Sequence, residues 1–562
     1  MGGGLLNLIA SSNNNPILNG NPTKTFFKST FAKHTNFGMQ KFRIDYDGLR
    51  SLRLCDESRF TFKIPRYAEL LLDTYLVLSL PKIWSTIYPP ETGTDEWRPY
   101  EFRWIENIGN TIIQNVTIRV GGQVLQTFSG DYLNMITSRD FSYEQRRLLD
   151  KMTGNTNEYN NPATQNSRIN TYPNAYFLND SVPSEVSIHE KKLVIPLNPW
   201  FMLSSKLAFP LIALQYNELF IDITLRPIND LFRIRDINDK ENNYPYVRPN
   251  FNEETMAMYR FLHPPPSESL NQQDYSDLRS IWNADVHLIG TYGFISDEES
   301  RIFAANEHKY LFKQVFEYNF DNVTGSKKVQ LNTGHLVSSW SMFFQRSDIN
   351  LRNEWTNYTN WPYNNQPPSY LINAPINGTY QYLDYGKTED SMLESVQPEG
   401  FGAGVNPNSQ PTPWMITGLH HPQNKEYILK DLAILLDGNY REDNFSSEIY
   451  QYLEPYSHSN GGGDNGIYYY NFCLHTNIFD TQPSGAIDMS RFQKIELEFT
   501  TILPPLDENA QTLTICDDNG DVIGINKPTW NIFEYNYDLT VIEERYNILY
   551  FLAGNCGLIY GN

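Results

Sequence analysis

Cysteine is scarce in this chain of 562 residues, which contains only Cys55, Cys473, Cys516 and Cys556. Their spacing matches no short metal-binding motif, and so few cysteines in so long a chain argue against a disulfide framework. We therefore expect buried or incidental thiols in a protein made in a reducing cytoplasm, where disulfides are uncommon.

Long apolar runs are absent as well. The stretch Leu5–Ala10 is too short for the apolar core of a secretory signal, and no basic residue precedes it. No segment supplies the roughly 20 apolar residues that a membrane-spanning helix needs. The sequence therefore predicts a protein that is made and assembled in the cytosol.

Positive charge is in deficit. The chain has 44 Lys and Arg residues against 65 Asp and Glu residues, which gives a formal net charge of −21. A surface of this sign repels phosphate groups, and no dense basic stripe offsets the repulsion. This balance excludes a protein that coats nucleic acid directly.

Signatures of catalysis and of cofactor binding are also lacking: there is no GxxxxGK(S/T), GxSxG or HExxH motif, and no GxGxxG that follows a strand. Asp517–Asp521 resembles a calcium loop, but Gly520 falls at the fourth position and no Glu follows at the twelfth, so a hairpin turn is the simpler interpretation. The other candidate metal ligands match no zinc spacing; they are His420, His421, His458, Cys473 and His475. We predict no catalytic residue, no cofactor and no metal site.

Aromatic residues, by contrast, are abundant: they make up 14% of the chain, with 37 Tyr alone. A Tyr ring packs in an apolar core while its hydroxyl finds a partner at a partly wet contact, which suits β-sandwich cores and large subunit interfaces. The same composition permits a carbohydrate-binding or carbohydrate-active β-sandwich protein, although nothing fixes a pair of carboxylates in one cleft. That class remains the alternative interpretation.

One structural plan occurs twice along the chain. In the first half, the alternating run Asn115–Val120 meets Gly121-Gly122 and resumes at Gln123–Leu125, a pattern that predicts two strands joined by a two-residue turn. After a long interval, Leu219–Leu225 alternates apolar and polar residues with the period of two that is typical of a half-buried strand.

The second half repeats this plan. Leu432–Leu436 meets Asp437-Gly438 and resumes at Asn439-Tyr440, and Ile495–Phe499 is again a strand with strict period-two alternation. The length suits two to four domains of about 150 residues. The repetition therefore predicts two β-sandwich domains in tandem.

The chain also resembles a known family, the double jelly-roll major capsid proteins of nucleocytoplasmic large DNA viruses, especially the giant-virus, mimivirus-like branch. The order and spacing of the matching segments run along essentially the whole chain. These segments are Gly2–Leu6, Asn21-Pro22, Thr25–Lys28, His34–Phe37, Ile64–Arg66, Trp104–Gly122, Ala208–Tyr216, Asp297–Glu299 with Arg301 and Phe303-Ala304, Gln482–Gly485, and Tyr546–Leu549.

The resemblance implies an all-β fold of two tandem eight-stranded jelly-roll β-sandwiches with long inserted loops and a few short helices. It also implies a structural protein and not an enzyme. Three copies would form a pseudo-hexagonal capsomer that tiles the icosahedral shell of a large DNA virus. The expected partners are other copies of the chain, minor capsid and penton proteins and an inner viral membrane, in a virion capsid assembled in host cytoplasm.

Composition shifts set the expected domain boundaries. Pro264-Pro265-Pro266 cannot lie inside a strand, so we place a connection there and expect the second sandwich to open with Asp285–Gly293. The predicted units are an arm (1–24), a first jelly roll (25–226), a connection (227–280) and a second jelly roll (281–562) with a large outer loop (347–424).

Two helices are expected among the strands, at Tyr143–Met152 and after Ser296, where Glu299 completes a capping box. The other predicted strands are Gly38–Tyr46, Ser58–Ile64, Leu70–Leu80, Tyr310–Phe320, Val337–Gln345, Tyr468–Leu474, Lys494–Thr500, and a hairpin of Leu513–Cys516 with Val522-Ile523.

Two surface features complete the predictions. The arm is rich in Gly and Asn, so we expect it to become ordered only against a partner, and Met1-Gly2 is a poor myristoylation start because Leu6 replaces the required Ser or Thr. Its candidate assembly residues are Gly2, Leu5, Leu6, Leu8 and Ile9. N-x-S/T sequons begin at Asn115, Asn179, Asn322, Asn357, Asn377 and Asn444. Among them Asn357 and Asn377 are the best placed for glycosylation, because their loop should face outward.

Overall fold

The computed structural model describes residues 2–10, 18, 20–88, 98–165, 168, 171–175, 184–237, 245–266, 270–362, 375–376, 379–380, 425–507, 510, 513–516, 522–526, 529 and 531–561. The strands of the first half are β1 (Phe37–Asp45), β2 (Ser58–Lys63), β3 (Leu70–Leu80), β4 (Ile87–Tyr88), β5 (Arg98–Pro99), β6 (Phe102–Trp104), β7 (Ile113–Val120), β8 (Gln123–Phe128), β9 (Lys191–Pro196), β10 (Phe209–Pro210), β11 (Leu219–Leu225), β12 (Phe232–Arg235), β13 (Tyr246–Val247) and β14 (His287–Ile295).

The strands of the second half are β15 (His308–Phe320), β16 (Ser326–Gln330), β17 (Leu336–Arg346), β18 (Pro375–Ile376), β19 (Thr379–Tyr380), β20 (Leu429–Leu436), β21 (Asn439–Ser446), β22 (Ile467–Asn471), β23 (Ile487–Asp488), β24 (Ile495–Thr501), β25 (Leu513–Cys516), β26 (Val522–Asn526), β27 (Tyr537–Leu552) and β28 (Asn555–Leu558). The predicted strands are present, with small shifts at their ends. The turn predicted at Asp517–Gly520 lies outside the described residues, but its flanking strands β25 and β26 pair.

Helices are few and short. The α-helices are α1 (Gly3–Ala10), α2 (Ile108–Thr111), α3 (Gly130–Asp140), α4 (Tyr143–Thr153), α5 (Asn157–Asn160), α6 (Trp200–Leu203), α7 (Tyr259–Leu262), α8 (Asp297–Ala305) and α9 (Glu454–His458), the last preceded by a π-helical turn at Ile449–Leu453. Single 3₁₀ turns occur at Pro162–Thr164, Ser205–Leu207, Leu211–Ala213, Ile228–Asp230, Glu254–Met256, Gln272–Asp274, Ile349–Leu351 and Met489–Arg491. The two predicted helices are confirmed as α4 and α8, and the Ser296 hydroxyl accepts a hydrogen bond from the Glu299 N–H.

Each half is a pair of facing sheets with the same strand order. In the first half one sheet runs β1-β14-β3-β10, with β9 also on β3, and the other runs β2-β11-β7-β8. In the second half the sheets run β15-β27-β17-β22, with β23 and β28 added at the ends, and β16-β24-β20-β21. This interleaved antiparallel order is that of a jelly roll. The added short strands bring the sheets of the first half to five and four strands and those of the second to six and four.

Period-two alternation produces the cores of both sandwiches. Along β11 every second residue is buried, from Leu219 to Leu225, and the partly exposed residues lie between them. Along β24 the side chains of Ile495, Leu497 and Phe499 enter the core of the second half. Both predicted hairpins are confirmed, because Val120 pairs with Gln123 and Leu436 pairs with Asn439.

The boundary between the halves differs from the prediction. Strand β14 pairs with β1 and β3, so it closes the first jelly roll and does not open the second. The described residues between 227 and 280 are not a loose connection: β12 pairs with β6, and Phe232 and Phe261 are buried in the core of the first half. The Pro-rich stretch is a loop inside the first domain, and the link between the two sandwiches is the short helix α8.

The strand ends that precede the long connections lie opposite the strand end that the arm enters. Because Asp45 pairs with His287 and Val77 with the same residue, the ends of β1 and β3 and the start of β14 share one end, and the long connection after β3 starts there. We call it the loop end. Phe37, where the arm enters β1, pairs with Ile295 at the other end, which we call the arm end.

The Asp437-Gly438 turn provides a direct test of the repeated hairpin. Both residues have positive φ, 50° and 80°, which Gly accepts and a β-branched residue does not. Gly438→Val should lower the free energy of unfolding by about 1–3 kcal/mol, measured by denaturant titration. Gly122→Val in the other hairpin is the control. A Cβ atom at either position would have no neighbour within 4 Å, so neither substitution causes a steric clash. Because Gly122 has no positive φ, Gly122→Val should lower the free energy of unfolding less than Gly438→Val does.

Candidate functional site

The candidate functional site is the contact between the two sandwiches. The sheet β15-β27-β17-β22 is covered on both faces, one by the sheet of its own sandwich and the other by the first half. Three consecutive buried tyrosines on β22 show the alternation: Tyr468 and Tyr470 pack in the core of the second half, whereas Tyr469 packs with residues of the first half. The Tyr469 hydroxyl donates to the Ser138 hydroxyl at 3.2 Å.

Helix α3 is the element of the first half that lies on this sheet. Ser129 caps its N-terminus, and Ser129 also donates from its N–H and its hydroxyl to Glu317 on β15, at 3.0 and 2.6 Å. Every residue of α3 except Asp131 is buried. A helix that is buried all round shows no amphipathic periodicity, so we did not predict it from sequence; the capping residue Ser129 was the only available signal.

A charge cluster is buried where α3 meets the sheet. The Arg139 guanidinium lies 2.7 Å from Asp140 and 3.0 Å from Glu544, and Glu544 in turn lies 3.0 Å from the ammonium of Lys313. Two cations and two carboxylates therefore balance, and they come from both halves of the chain. The hydroxyls that donate to the carboxylates belong to Tyr132, Ser339 and Thr476. Burial of charge is tolerated only with such complete pairing.

The electrostatics of this cluster follow from burial and pairing. Burial alone would raise the pKa of Glu544, but the charges of Arg139 and Lys313 outweigh it and lower that pKa to about 2. For Asp140, burial dominates and raises the pKa even though Arg139 opposes the shift. Glu544 is therefore the carboxylate whose ionisation stabilises the contact.

The C-terminus of α3 is closed by a loop of the second half. The last carbonyls of a helix have no partner within it. Here the N–H groups of Gly461 and Gly463 donate to the carbonyls of Arg139 and Ser138, at 2.7 and 3.2 Å. A Cβ on Gly461 would lie 2.3 Å from the Ser138 carbonyl oxygen, so only glycine allows this approach.

Paired glutamines join the edges of β8 and β15. The amide of Gln126 donates to the Lys313 carbonyl at 3.2 Å, and the amide of Gln314 donates to the Leu125 carbonyl at 2.8 Å. Asn547 orients Gln314 through a bond of 2.7 Å to its side-chain oxygen. A glutamine side chain from each strand thereby donates a hydrogen bond to a backbone carbonyl of the other strand. The two strands are joined in this way without pairing backbone to backbone.

Part of the predicted outer loop, residues 353–360, is largely buried, which corrects the expectation that all of 347–424 is exposed. Asn353 donates to the carbonyls of Asn229 and Phe232 at 2.7 and 2.8 Å, and the Trp355 indole donates to the Asp230 carbonyl at 2.9 Å. These contacts hold the start of the loop against the first half. Residues 363–374, 377–378 and 381–424 lie outside the described residues.

Asn357 is not a free glycosylation acceptor in this fold. Its side chain is buried, and its amide donates to Glu354 and to the Trp361 carbonyl while its oxygen accepts from Thr359. The prediction for Asn357 is wrong, because a buried amide engaged on both sides has no room for a glycan. Asn377 lies outside the described residues.

The arm contains a helix, which its Gly content did not lead us to expect. The candidate assembly residues Gly2, Leu5, Leu6 and Leu8 are exposed there, and the side chain of Ile9 is outside the described set. Across the described residues, no helix combines the length and the apolar character needed to cross a membrane.

Three of the candidate metal ligands, His458, Cys473 and His475, lie within the described residues. His458 contacts the Leu474 carbonyl at 2.8 Å, and the Cys473 thiol contacts the His475 carbonyl at 3.3 Å. His420 and His421 lie outside the described residues. Within the described part of the chain, no three His, Cys, Asp or Glu side chains form a group that could hold a metal ion.

Comparison with known proteins identifies the family. Residues 25–259 match the model of the major capsid protein N-terminus, and residues 299–557 match that of the large eukaryotic DNA virus major capsid protein. The major capsid protein of Phaeocystis pouchetii virus is 26% identical over the full length of both chains. The chain belongs to the major capsid proteins of large eukaryotic DNA viruses.

Solved structures agree with the double jelly-roll fold. The Faustovirus major capsid protein superposes with a TM-score of 0.58 at 12% identity, over 94% of this chain and 93% of that one. The capsid model of PBCV-1 gives a TM-score of 0.57 at 20% identity, over 96% and 100%. In this major capsid protein the two jelly rolls are therefore held together by α3, the buried charges and the glycine loop.

Gly461→Ala should weaken the closure of α3. The new methyl group would overlap the Ser138 carbonyl, and overpacking of this kind typically lowers stability by about 1–3 kcal/mol. Gly462→Ala is the matched control, because a Cβ there has no neighbour within 4 Å. Thermal unfolding of both variants should show a lower Tm for the first only; equal melting would contradict the proposed contact.

Glu544→Gln should destabilise the fold strongly, by about 3–5 kcal/mol, because Arg139 and Lys313 would keep their charge without a full partner set. Glu498→Gln removes an exposed ion pair with Lys328 and should change stability by about 1 kcal/mol or less. Denaturant titration at neutral pH separates the two.

The effect of Glu544→Gln should also depend on pH. A carboxylate with a lowered folded-state pKa contributes stability above its unfolded-state pKa of about 4.3 and loses that contribution as the pH falls through the folded-state value of about 2. The stability difference between the parent protein and Glu544→Gln should therefore be constant at neutral pH and shrink from about pH 4 to pH 2. A difference independent of pH would show that Glu544 is not ionised in the fold.

Proposed function

We propose that this protein is the main building block of an icosahedral virion shell, that it assembles as a homotrimer, and that it has no enzymatic activity. The observation that carries the proposal is the side-by-side placement of two jelly rolls with the same strand order. Three such chains supply six similar lobes, and six lobes around one axis give a pseudo-hexagonal outline that tiles a flat facet by repeating one contact.

The two ends of the molecule suggest its orientation in the shell. We infer that the loop end faces outward, where long connections are tolerated, and that the arm end faces the interior. There the arm would contact minor capsid proteins or an inner membrane through Leu5, Leu6 and Leu8, with penton proteins at the vertices. The net charge of −21 keeps the shell from binding the genome directly. Assembly in host cytoplasm is part of the same proposal.

Light scattering of the purified protein tests the trimer. The expected mass is three times that of the 65.2 kDa chain. A monomer at micromolar concentration that binds sugars on a glycan array would instead favour the alternative, a carbohydrate-binding or carbohydrate-active β-sandwich protein.

Deletion of residues 1–21 tests the arm. We expect trimers of normal thermal stability, because the described part of the arm is exposed and adds nothing to the core, but weaker attachment to the inner layer of the particle. Trimer yield and particle yield of the truncated chain are compared with those of the full chain. Loss of both yields would assign the arm to the trimer, and loss of neither would leave it without this role.

A further inference from the structure

The contact between the two sandwiches uses one edge strand from each of them, and the equivalent edge strands of the opposite sandwiches form no such contact within the described chain. Within the chain, β8 at the edge of the first sandwich meets β15 at the edge of the second. The strands that hold the corresponding places in the other sandwich are β21 and β1. We propose that β21 of one copy packs against β1 of the next copy in the same way, so that one type of contact closes the trimer. This inference rests on the proposed trimeric function.

The strand pairings fix which residues of β1 and β15 correspond. Strands β3 and β17 are both 11 residues long and hold the same place in their sheets. In the first sandwich, the first residue of β3 pairs with Gly293 on β14, and Gly293 pairs with Met39 on β1. In the second sandwich, the first residue of β17 pairs with Tyr546 on β27, and Tyr546 pairs with Lys313 on β15. Met39 and Lys313 therefore correspond. The next residues along β1 and β15 are therefore Gln40 and Gln314.

The two hairpins fix the correspondence of β8 and β21. Each has a bulge after the second pair from the turn, so that Ile118 pairs with Gln126 in the first and Ile434 with Glu442 in the second. The second hairpin has a further bulge between Glu442 and Phe445, which adds one residue to β21. Two residues further along β7 and β20, Val116 pairs with Phe128 and Leu432 with Phe445. Gln126 thus corresponds to Glu442, and Phe128 corresponds to Phe445.

Burial differs sharply between the corresponding residues. Gln314 is 4% exposed because β8 covers it, whereas its counterpart Gln40 is exposed and the neighbouring Met39 is 62% exposed. Phe128 is 1% exposed and Phe445 is 42% exposed. The exposed Phe445, at a position that is buried in the internal contact, and the exposed Met39 beside Gln40 indicate a surface that a second copy covers.

The charges on the two strands are complementary. Strand β1 carries Lys41, Arg43 and Asp45, a net charge of +1, and β21 carries Arg441, Glu442 and Asp443, a net charge of −1. Gln40 can donate its amide across the contact as Gln314 does. Glu442 cannot donate as Gln126 does, and its carboxylate already accepts a hydrogen bond from the Tyr470 hydroxyl at 2.7 Å. Asp443 is therefore the carboxylate of β21 that we pair with β1, and this electrostatic pairing replaces one of the two amide bonds. Arg43 is already held by Asp45 and Asp285, which leaves Lys41 as the cation to test.

Site-directed cross-linking tests this interface in the full chain. Gln40→Cys and Glu442→Cys are combined in one chain and treated with a short bismaleimide, and the unmodified chain, whose Cys55 and Cys516 are exposed, gives the background. We expect covalent dimers and trimers on a denaturing gel. The matched control is Lys63→Cys with Lys327→Cys, which places thiols on exposed positions of β2 and β16, at the opposite edges of the four-stranded sheets.

A charge exchange supplies the second readout. Lys41→Glu alone and Asp443→Lys alone should each lower the trimer association constant roughly tenfold or more, because like charges then face each other, and the double variant should restore it. Trimers that cross-link only through the β2 and β16 control, or not at all, would overturn this interface while leaving the trimeric function intact. A chain that remains monomeric in light scattering would overturn the proposed function, and the interface would fall with it.

Discussion

Arg139 is buried between two β-sandwiches, and the carboxylates that offset the free energy of its burial come from both of them. Removing a guanidinium from water is unfavourable by several kcal/mol unless ionised partners and hydrogen bonds replace the water. Asp140 and Glu544 satisfy this requirement only when α3 lies on the sheet of the second half in one position. Apolar packing between the halves tolerates small displacements, but a buried charge cluster does not. The cluster therefore fixes the angle between the two jelly rolls.

That angle matters because the protein acts by assembly. A ring of six similar lobes closes only if the lobes within a chain and the lobes between chains are related by nearly the same rotation. The internal contact sets the first rotation, through α3, the glycine loop at Gly461 and the glutamine pair at β8 and β15. In the interface that we propose, the exposed edges of β1 and β21 form the corresponding contact between copies, so that the internal contact serves as its template.

The sequence predicted the strands that bury one face and expose the other. Strands such as β11 and β24 alternate clearly, and the turns at Gly121-Gly122 and Asp437-Gly438 have the residues their backbone requires. The boundary between the halves was misplaced because Pro264-Pro265-Pro266 resembles a linker, whereas the true link is a short capped helix. Helix α3 shows no amphipathic pattern, because it is buried on nearly all sides and mixes apolar and polar residues. Residues 353–360 of the outer loop contain Asn residues that are typical of exposed loops, although most of this segment is buried.

The charge cluster could not be predicted by local reasoning at all, since Arg139 and Glu544 are 405 residues apart. Their pairing depends on how two complete sandwiches dock. Asn357 shows the same limitation on a smaller scale: its sequon is visible in the sequence, but its burial is set by a tertiary contact with the first half.

A three-dimensional reconstruction of the purified protein by electron cryomicroscopy tests the central claim most directly. The account predicts six jelly-roll lobes around a threefold axis, in which the two lobes of one chain and the adjacent lobes of neighbouring chains meet through matching strand edges, β8 with β15 and β21 with β1. A threefold particle in which the lobes of different chains meet through other edges, or one in which the two lobes of a chain vary in their relative angle, would contradict it.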